Sequence, residues 1–331
     1  MANTKIAELS AEAITTKEES PLTVVWRRFR KHKMAMISLV LITVIFLISL
    51  FAEQISPFAV DELDVSKYFA PWGDVDKETG RVHYMGTDNI GRDYFSRLVA
   101  AGRISLSVAL FSVFISVSIG ITVGAIAGYY GGITDTILMR FVELLLTIPD
   151  LPLLLILSSM LIQNQDAIPI PEPVLFVAGK IMLLSPFQAR QAVLIILVLA
   201  GLGWLGVAQI MRGMILSLRE QTFVEASRSL GASDVHIIFR HMIPNAMAPI
   251  IVSASLGMAG YVVAEAALSF LGFGIQDPIP TWGNMLSATQ QFMLDKPWLP
   301  LVPGLPIFIC ALAFNYIGDG LRDALDPRLK M

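Results

Sequence analysis

A chain of 331 residues that is 55% hydrophobic and only 15% charged, with a mean hydropathy of +0.66, is too apolar for a soluble globular domain and reads as an integral membrane protein. Its formal net charge of −3 is small and unevenly spread, so it argues for neither nucleic-acid binding nor a uniformly acidic surface. The single cysteine, Cys310, lies inside an apolar stretch, so this chain alone builds neither a disulfide nor a thiolate metal site.

Crossing the hydrocarbon takes about 20 apolar residues in a helix, and six segments pass that test. Met34 to Ala52 is the first and carries no charge. It follows some 33 residues that include the cluster Arg27, Arg28, Arg30, Lys31 and Lys33, so it is expected to be an anchor with a cytoplasmic amino end and not a cleaved signal. Residues 53–103 are expected to be an extracytoplasmic loop ending in an interfacial helix. Its acidic residues Asp61, Glu62, Asp64, Asp74, Asp76 and Glu78 read as solvated surface without calcium-loop spacing. Thr87 or Asp88 can cap the interfacial helix, with Tyr94, Phe95, Leu98 and Val99 in the interface and Arg92, Arg97 and Arg103 toward head groups.

Ile104 to Thr134, free of charge, is the second span, and Ile137 to Leu161 the third. A charge in a bilayer costs several kcal/mol, about 2.5–3.5 on insertion scales, unless it is paired or wetted. Glu143 is within i,i+3 reach of Arg140, which predicts a structural ion pair. Asp150 follows Pro149 near mid-helix, where the proline frees a carbonyl and kinks the chain. Its carboxylate needs a polar lumen, a donor or a proton, which makes it a candidate pathway residue. Between residues 163 and 190 the prolines at 169, 171 and 173 favour a stiff start, and Val174 to Leu184 is expected to form a short helix on the outer surface.

Gln191 to Met211 is the fourth span; about Ala246 to Phe273, with Glu265 inside it, is the fifth; Pro297 to Gly318 is the sixth. Between the fourth and fifth lies FVEASRSLGASDVHIIFRHMIPN, residues 223–245, a polar island that must sit in water at a membrane face. Phe223, Ala226 and Leu230 recur at helical spacing, Gly231 offers a left-handed residue to end that helix, and Ser233 can cap the next. Val235, Ile238, Phe239 and Met242 form a second apolar stripe, with Pro244 at its end. Two short helices joined by a sharp bend suit a groove on a cytoplasmic partner. An ordinary amphipathic connector with Glu225 as a solvated charge is the bland alternative. With the amino terminus inside, cytoplasmic segments hold 15 of the 24 Lys and Arg residues, which puts this loop in the cytoplasm.

This run resembles the EAA loop of permease subunits of ABC importers, with Glu225, Ala226, Gly231 and Pro244 at the family spacing and Ser227 in place of the second alanine. Residues 85–106 (MGTDNIGRDYFSRLVAAGRISL), 265–286 (EAALSFLGFGIQDPIPTWGNML) and 303–330 (PGLPIFICALAFNYIGDGLRDALDPRLK) are similar to further segments of that family, in its dipeptide, oligopeptide and nickel branch and its C-type subunit. The resemblance implies an all-α type I importer permease of six helices. Residues 1–33 and 319–331 would be cytoplasmic, 34–52 a wrapping first helix, and 104–318 a five-helix core carrying the coupling loop at 212–245. It implies a homologous permease partner, two ATPase subunits, an extracytoplasmic binding protein and a bacterial or archaeal inner membrane with both termini cytoplasmic. It further implies ATPase coupling through Glu225, Ala226, Ser227, Gly231 and Pro244, and a structural or gating role for Glu265.

No G-x-x-x-x-G-K-[ST] run is present, since Gly179-Lys180 precedes Ile181 and lacks the leading glycine, so no nucleotide or other cofactor is expected on this chain. ATP and Mg are expected on the partner ATPases. His32, His83, His236 and His241 are scattered without HExxH or paired-carboxylate context, which gives a membrane hydrolase no support. The competing transport reading is a secondary carrier using Asp150 and Glu265 as proton carriers. It predicts uptake that follows a proton gradient without an ATPase.

Overall fold

The computed structural model describes residues 20–77 and 79–326; Glu78, the first 19 residues, and Arg328 and Lys330 of the tail lie outside the described residues. Helices dominate. In chain order they are α1 (Pro21–Lys31), α2 (Lys33–Leu50), α3 (Ala52–Ile55), α4 (Tyr94–Tyr130), α5 (Gly132–Leu146), α6 (Asp150–Gln163), α7 (Glu172–Met182), α8 (Pro186–Arg219), α9 (Thr222–Ser229), α10 (Asp234–Phe270), α11 (Trp282–Thr289) and α12 (Trp298–Leu325). Five of them, α2, α4, α8, α10 and α12, are long and apolar enough to cross a membrane, and α5 with α6 forms a sixth, broken span.

The bundle is centred on α4 and α8, whose most apolar windows are 56% buried, against 17–22% for α2, α10 and α12. The reason is legible in one stripe. Gly120, Gly124 and Gly128 fall on one face of α4, and a Cβ on Gly128 would stand 2.9 Å from the Arg212 carbonyl oxygen and one on Gly120 2.6 Å from Val207 Cβ. Small residues at four-residue spacing let two helix backbones touch, which is how helices associate where water supplies no driving force. The weakly buried outer helices need lipid or another subunit to cover them.

Several elements depart from the sequence expectations. The basic cluster ahead of the first span is itself helical: α1 packs on α12, with Phe29 buried against Gly320 and Arg28 Nη1 donating to the Asp326 carbonyl at 2.9 Å. The last span runs to Leu325, so the expected boundary at 318/319 falls inside a helix. Residues 212–219 still belong to α8, which shortens the loop before α9.

Among the described residues no separate interfacial helix precedes the second span. Asp93 caps α4, accepting from Ser96 N at 2.7 Å, and the helix runs unbroken into the membrane, whereas Thr87 and Asp88 sit in the preceding turn. Arg92 and Arg97 are buried and do not face head groups. Arg92 Nε donates to Asp88 at 2.7 Å, and Asp277, 180 residues beyond Arg97, takes Arg92 Nη1 at 3.2 Å and Arg97 Nη2 at 2.7 Å. Buried guanidinium groups persist only with such partners. The loop between α3 and α4 carries a two-stranded hairpin of β1 (Asp74–Val75) and β2 (Val82–His83), and many of its acidic groups are engaged. Asp74 pairs with Lys67, Asp64 accepts from Ser66 N, and Arg81 beside Glu62, at 2.6 Å, holds that carboxyl below the usual carboxylate range. The 163–190 segment forms α7 near its expected place, buried on α8 through Leu175 and Met182, while Arg190 Nη1 anchors the carbonyls of Gln165 (2.7 Å) and Ile168 (3.0 Å).

Candidate functional site

Two features can carry function: the polar loop between α8 and α10, and a cavity walled by α6, α8 and α10. The loop is built by local chemistry. Gly231 has φ +81°, its N–H bonds to the Arg228 carbonyl at 3.0 Å, and Ala232 N–H bonds to the Ser227 carbonyl at 3.1 Å. This pair of reversed bonds is a Schellman ending, which turns the chain sharply after α9 and favours glycine at the left-handed position. Ser233 Oγ then accepts from His236 N at 3.4 Å to open α10. A Cβ on Gly231 meets nothing within 4 Å, so its replacement is a pure test of backbone strain. Gly231→Ala is expected to cost about 1 kcal/mol in the stability of this bend, and Gly231→Val more; equal ATPase co-purification by both variants and the parent protein would contradict it.

The predicted apolar stripes divide differently in space. Val224, Ile237, Ile238 and Met242 point inward, with Phe223 half-buried beside them, and join Tyr129 and Ile215 in one cluster. Leu230 (89% exposed), Val235 and Phe239 point outward. The inward set includes Ile237 and Met242, five residues apart, because residues 237–242 form a wider π turn with i→i+5 bonding. An ordinary α-helix would splay those two residues apart. Pro244 consequently does not end a helix; it enters the first turn of the long α stretch Ile243–Phe270, where the wide turn upstream tolerates its missing N–H.

The loop is tied to the bundle by ionic and hydroxyl contacts. Tyr129 Oη donates to Asp234 Oδ1 at 2.6 Å and accepts from Arg228 Nη2 at 3.2 Å, Arg219 Nη1 reaches the Tyr129 carbonyl at 3.3 Å, and Arg212 pairs with Asp135. Through Tyr129 the first two contacts join α9 and the start of α10 to the end of α4, while Arg219 and Arg212 join α8 to α4 and α5. Glu225, Ala226, Gly231 and Pro244 are exposed; Ser227 is half-buried, its hydroxyl donating to the Phe223 carbonyl at 2.8 Å. Among the described residues Glu225 makes no side-chain bond, which leaves its carboxylate available.

The third span bends by 91° between α5 and α6. Pro149 stands at the break and Asp150 opens α6, so the carboxylate lies at a helix amino end and not at mid-helix as expected, where it accepts from Leu151 N at 2.8 Å. It lines a cavity of about 550 Å³ together with Gly203, Gly206, Gly257, Gly260 and Tyr261. Tyr261 Oη donates to Ser116 Oγ at 2.5 Å, and only a glycine at 203 leaves room for that hydroxyl. Sequence reasoning passed over Tyr261 and the glycines, although glycines clustered in two apolar spans are a visible signal for a smooth wall or close packing. Arg140 and Glu143 pair at 3.1 Å as expected, on an exposed face.

Glu265 stands apart from Asp150. It is fully buried and outside the cavity wall, accepting from Ser105 and Ser269, each at 2.8 Å. Ser105 in turn accepts from Trp282 N at 3.4 Å and Ser269 from Ile275 N at 3.3 Å. Glu265 thus joins α4 and α10 to the turn that leads into α11.

Comparison with known proteins adds family and type. Residues 120–331 match the family described as binding-protein-dependent transport system inner membrane component, and residues 20–71 match the N-terminal TM domain of oligopeptide transport permease C. The chain is 35% identical over 311 residues to the dipeptide transport system permease protein DppC of Alkalihalophilus pseudofirmus, covering 94% of this chain and 91% of that protein. It is 34% identical to the glutathione transport system permease protein GsiD of Pectobacterium atrosepticum and 35% identical to that of Escherichia coli, each over 92% of this chain and 90% of the relative.

Proposed function

Since this chain belongs to the family of binding-protein-dependent transport system inner membrane components, as a C-type permease subunit of an ABC importer, we infer that it forms half of a transmembrane pathway for peptides or peptide-like solutes. Its family is one of transport subunits and not of enzymes. In this reading ATP and Mg are used by two ATPase subunits, the second half of the pathway comes from a homologous permease, and solute arrives from an extracytoplasmic binding protein. Both termini and the α9 loop are cytoplasmic in a bacterial or archaeal inner membrane.

The observation that carries the coupling role is the exposed Leu230, Val235 and Phe239 surface beside the unengaged Glu225. Closure of the ATPases would push α9 and the continuous α10. Because α10 runs from the loop to Phe270 without a break, that push reaches the cavity wall at Gly257, Gly260 and Tyr261 as a rigid-body movement. Asp150 is assigned to the pathway wall and Glu265 to holding the outer turn in place. The glycines offer a smooth face with few polar groups, which suits passage of varied solutes and leaves selection to the binding protein.

The test is energisation of uptake in proteoliposomes holding the whole importer. Uptake is expected to require ATP inside and to survive a protonophore, and Asp150→Asn is expected to lower uptake severalfold while detergent-stable yield stays unchanged. Uptake that follows an imposed proton gradient without ATP would instead establish the secondary carrier. Normal uptake in Asp150→Asn would remove Asp150 from the pathway.

A further inference from the structure

At the end of the bundle away from the coupling loop, Arg103 of α4 is only 8% exposed, and among the described residues its Nε and Nη1 have no hydrogen-bond partner. The nearest carboxylate, Glu53, stands 3.8 Å from Nη1, beyond hydrogen-bond reach. A buried guanidinium with orphaned donors is costly, so something else should complete it. Arg103 is among the residues lining a cavity of about 540 Å³. Ser56, whose hydroxyl is also buried and has no partner among the described residues, lines the same cavity, as do Glu53 and Asp61. One pocket thus offers unfilled donors for an oxyanion beside carboxylates for a cation.

Its position selects the source of that ligand. Glu53 lies three residues past Leu50, where α2 ends, and Leu183 and Leu184 come from the turn into α8, so the walls gather where spans leave the hydrocarbon. Phe51, Ile55 and Phe187, each adjacent in the chain to a wall residue, are exposed, as is Leu183 itself. Apolar side chains of this kind suit contact with acyl chains. No residue of this pocket is shared with the Asp150 cavity, which separates it from the pathway proposed above.

We propose that this pocket binds the zwitterionic headgroup of a membrane phospholipid of the ethanolamine type, with phosphate oxygens on Arg103 and Ser56 and the ammonium toward Glu53 and Asp61. A charge-assisted bond to a buried guanidinium contributes enough that its loss weakens binding by about tenfold or more. The lipid would brace the outer end of α4 against the first span.

Native mass spectrometry of the purified importer, delipidated and then titrated with dioleoyl phosphatidylethanolamine in detergent, tests this. The parent complex is expected to retain one such lipid per copy of this chain that Arg103→Gln loses. Ala59→Trp, which fills the mouth and leaves Arg103 in place, is expected to lose it as well, and this second variant covers the case in which Arg103→Gln does not assemble. Dioleoyl phosphatidylglycerol, which lacks the ammonium, is expected to bind at least tenfold more weakly. Equal retention by parent and variants, equal binding of phosphatidylglycerol, or displacement of the lipid by dialanine or inorganic phosphate would each overturn the assignment.

Discussion

Leu230→Glu is expected to strip the ATPase subunits from the complex while leaving the permease folded in the membrane. Leu230 is the most exposed large apolar side chain of the loop between α8 and α10, held out by the Gly231 turn directly after it, and Val235 and Phe239 extend the same outward surface. In the free subunit a carboxylate there meets only water, so folded yield should not change. Buried against a partner where Leu230 docks, a carboxylate would be desolvated at a cost of about 2–3 kcal/mol or more, which corresponds to a loss of affinity of roughly 30- to 150-fold. Co-purification of the ATPase and ATP turnover by the reconstituted complex report the effect. Val65→Glu, at an 86%-exposed position in the outer loop, serves as the control and should change neither. Full ATPase retention in Leu230→Glu would mean that this surface is not the docking site.

Gly124→Val is expected to prevent the bundle from assembling. A Cβ at 124 would collide with the Ala208 carbonyl oxygen and stand 2.8 Å from Met211 Cβ and 3.0 Å from Arg212 N, and two of those three atoms are backbone that cannot rotate aside. The substitution therefore forces α4 and α8, the most buried pair, apart along much of their contact. Overpacking against a rigid neighbour costs about 3 kcal/mol or more, enough to lower detergent-stable yield severalfold and to raise protease sensitivity. Gly206→Val is the matched control, because its Cβ meets nothing. Gly206→Val should preserve yield and, as a cavity-wall residue, reduce uptake. Parent-like yield in Gly124→Val would show that the helices tolerate separation.

The spans were readable because the bilayer demands a length and an apolar composition that the sequence states directly. The Gly231 turn and the Ser233 cap were readable because their determinants lie within a few residues. What escaped depends on partners far away in the chain. Arg92 and Arg97 looked like head-group residues because nothing near them announces Asp277 as their counter-ion. The amphipathic α1 is completed by Gly320, nearly the whole chain away from Phe29. The π turn arises from the need to bury Ile237 and Met242 together beneath the loop, a demand that helical periodicity alone cannot express. For the candidate site, Glu225, Ala226 and Gly231 are singled out by the resemblance of their run to a family loop, whereas Tyr261 and the cavity glycines become meaningful only once α6, α8 and α10 face one another.

The central claim, that α9 is the cytoplasmic contact with an ATPase, is tested most directly by cross-linking from Leu230. In a Cys310→Ala background, Leu230→Cys should form a short-range cross-link to an ATPase subunit in the purified importer. It should react with an impermeant maleimide only in inside-out vesicles. Absence of any ATPase adduct, with labelling of Leu230→Cys from outside intact cells, would place the loop on the wrong face of the membrane and contradict the coupling account.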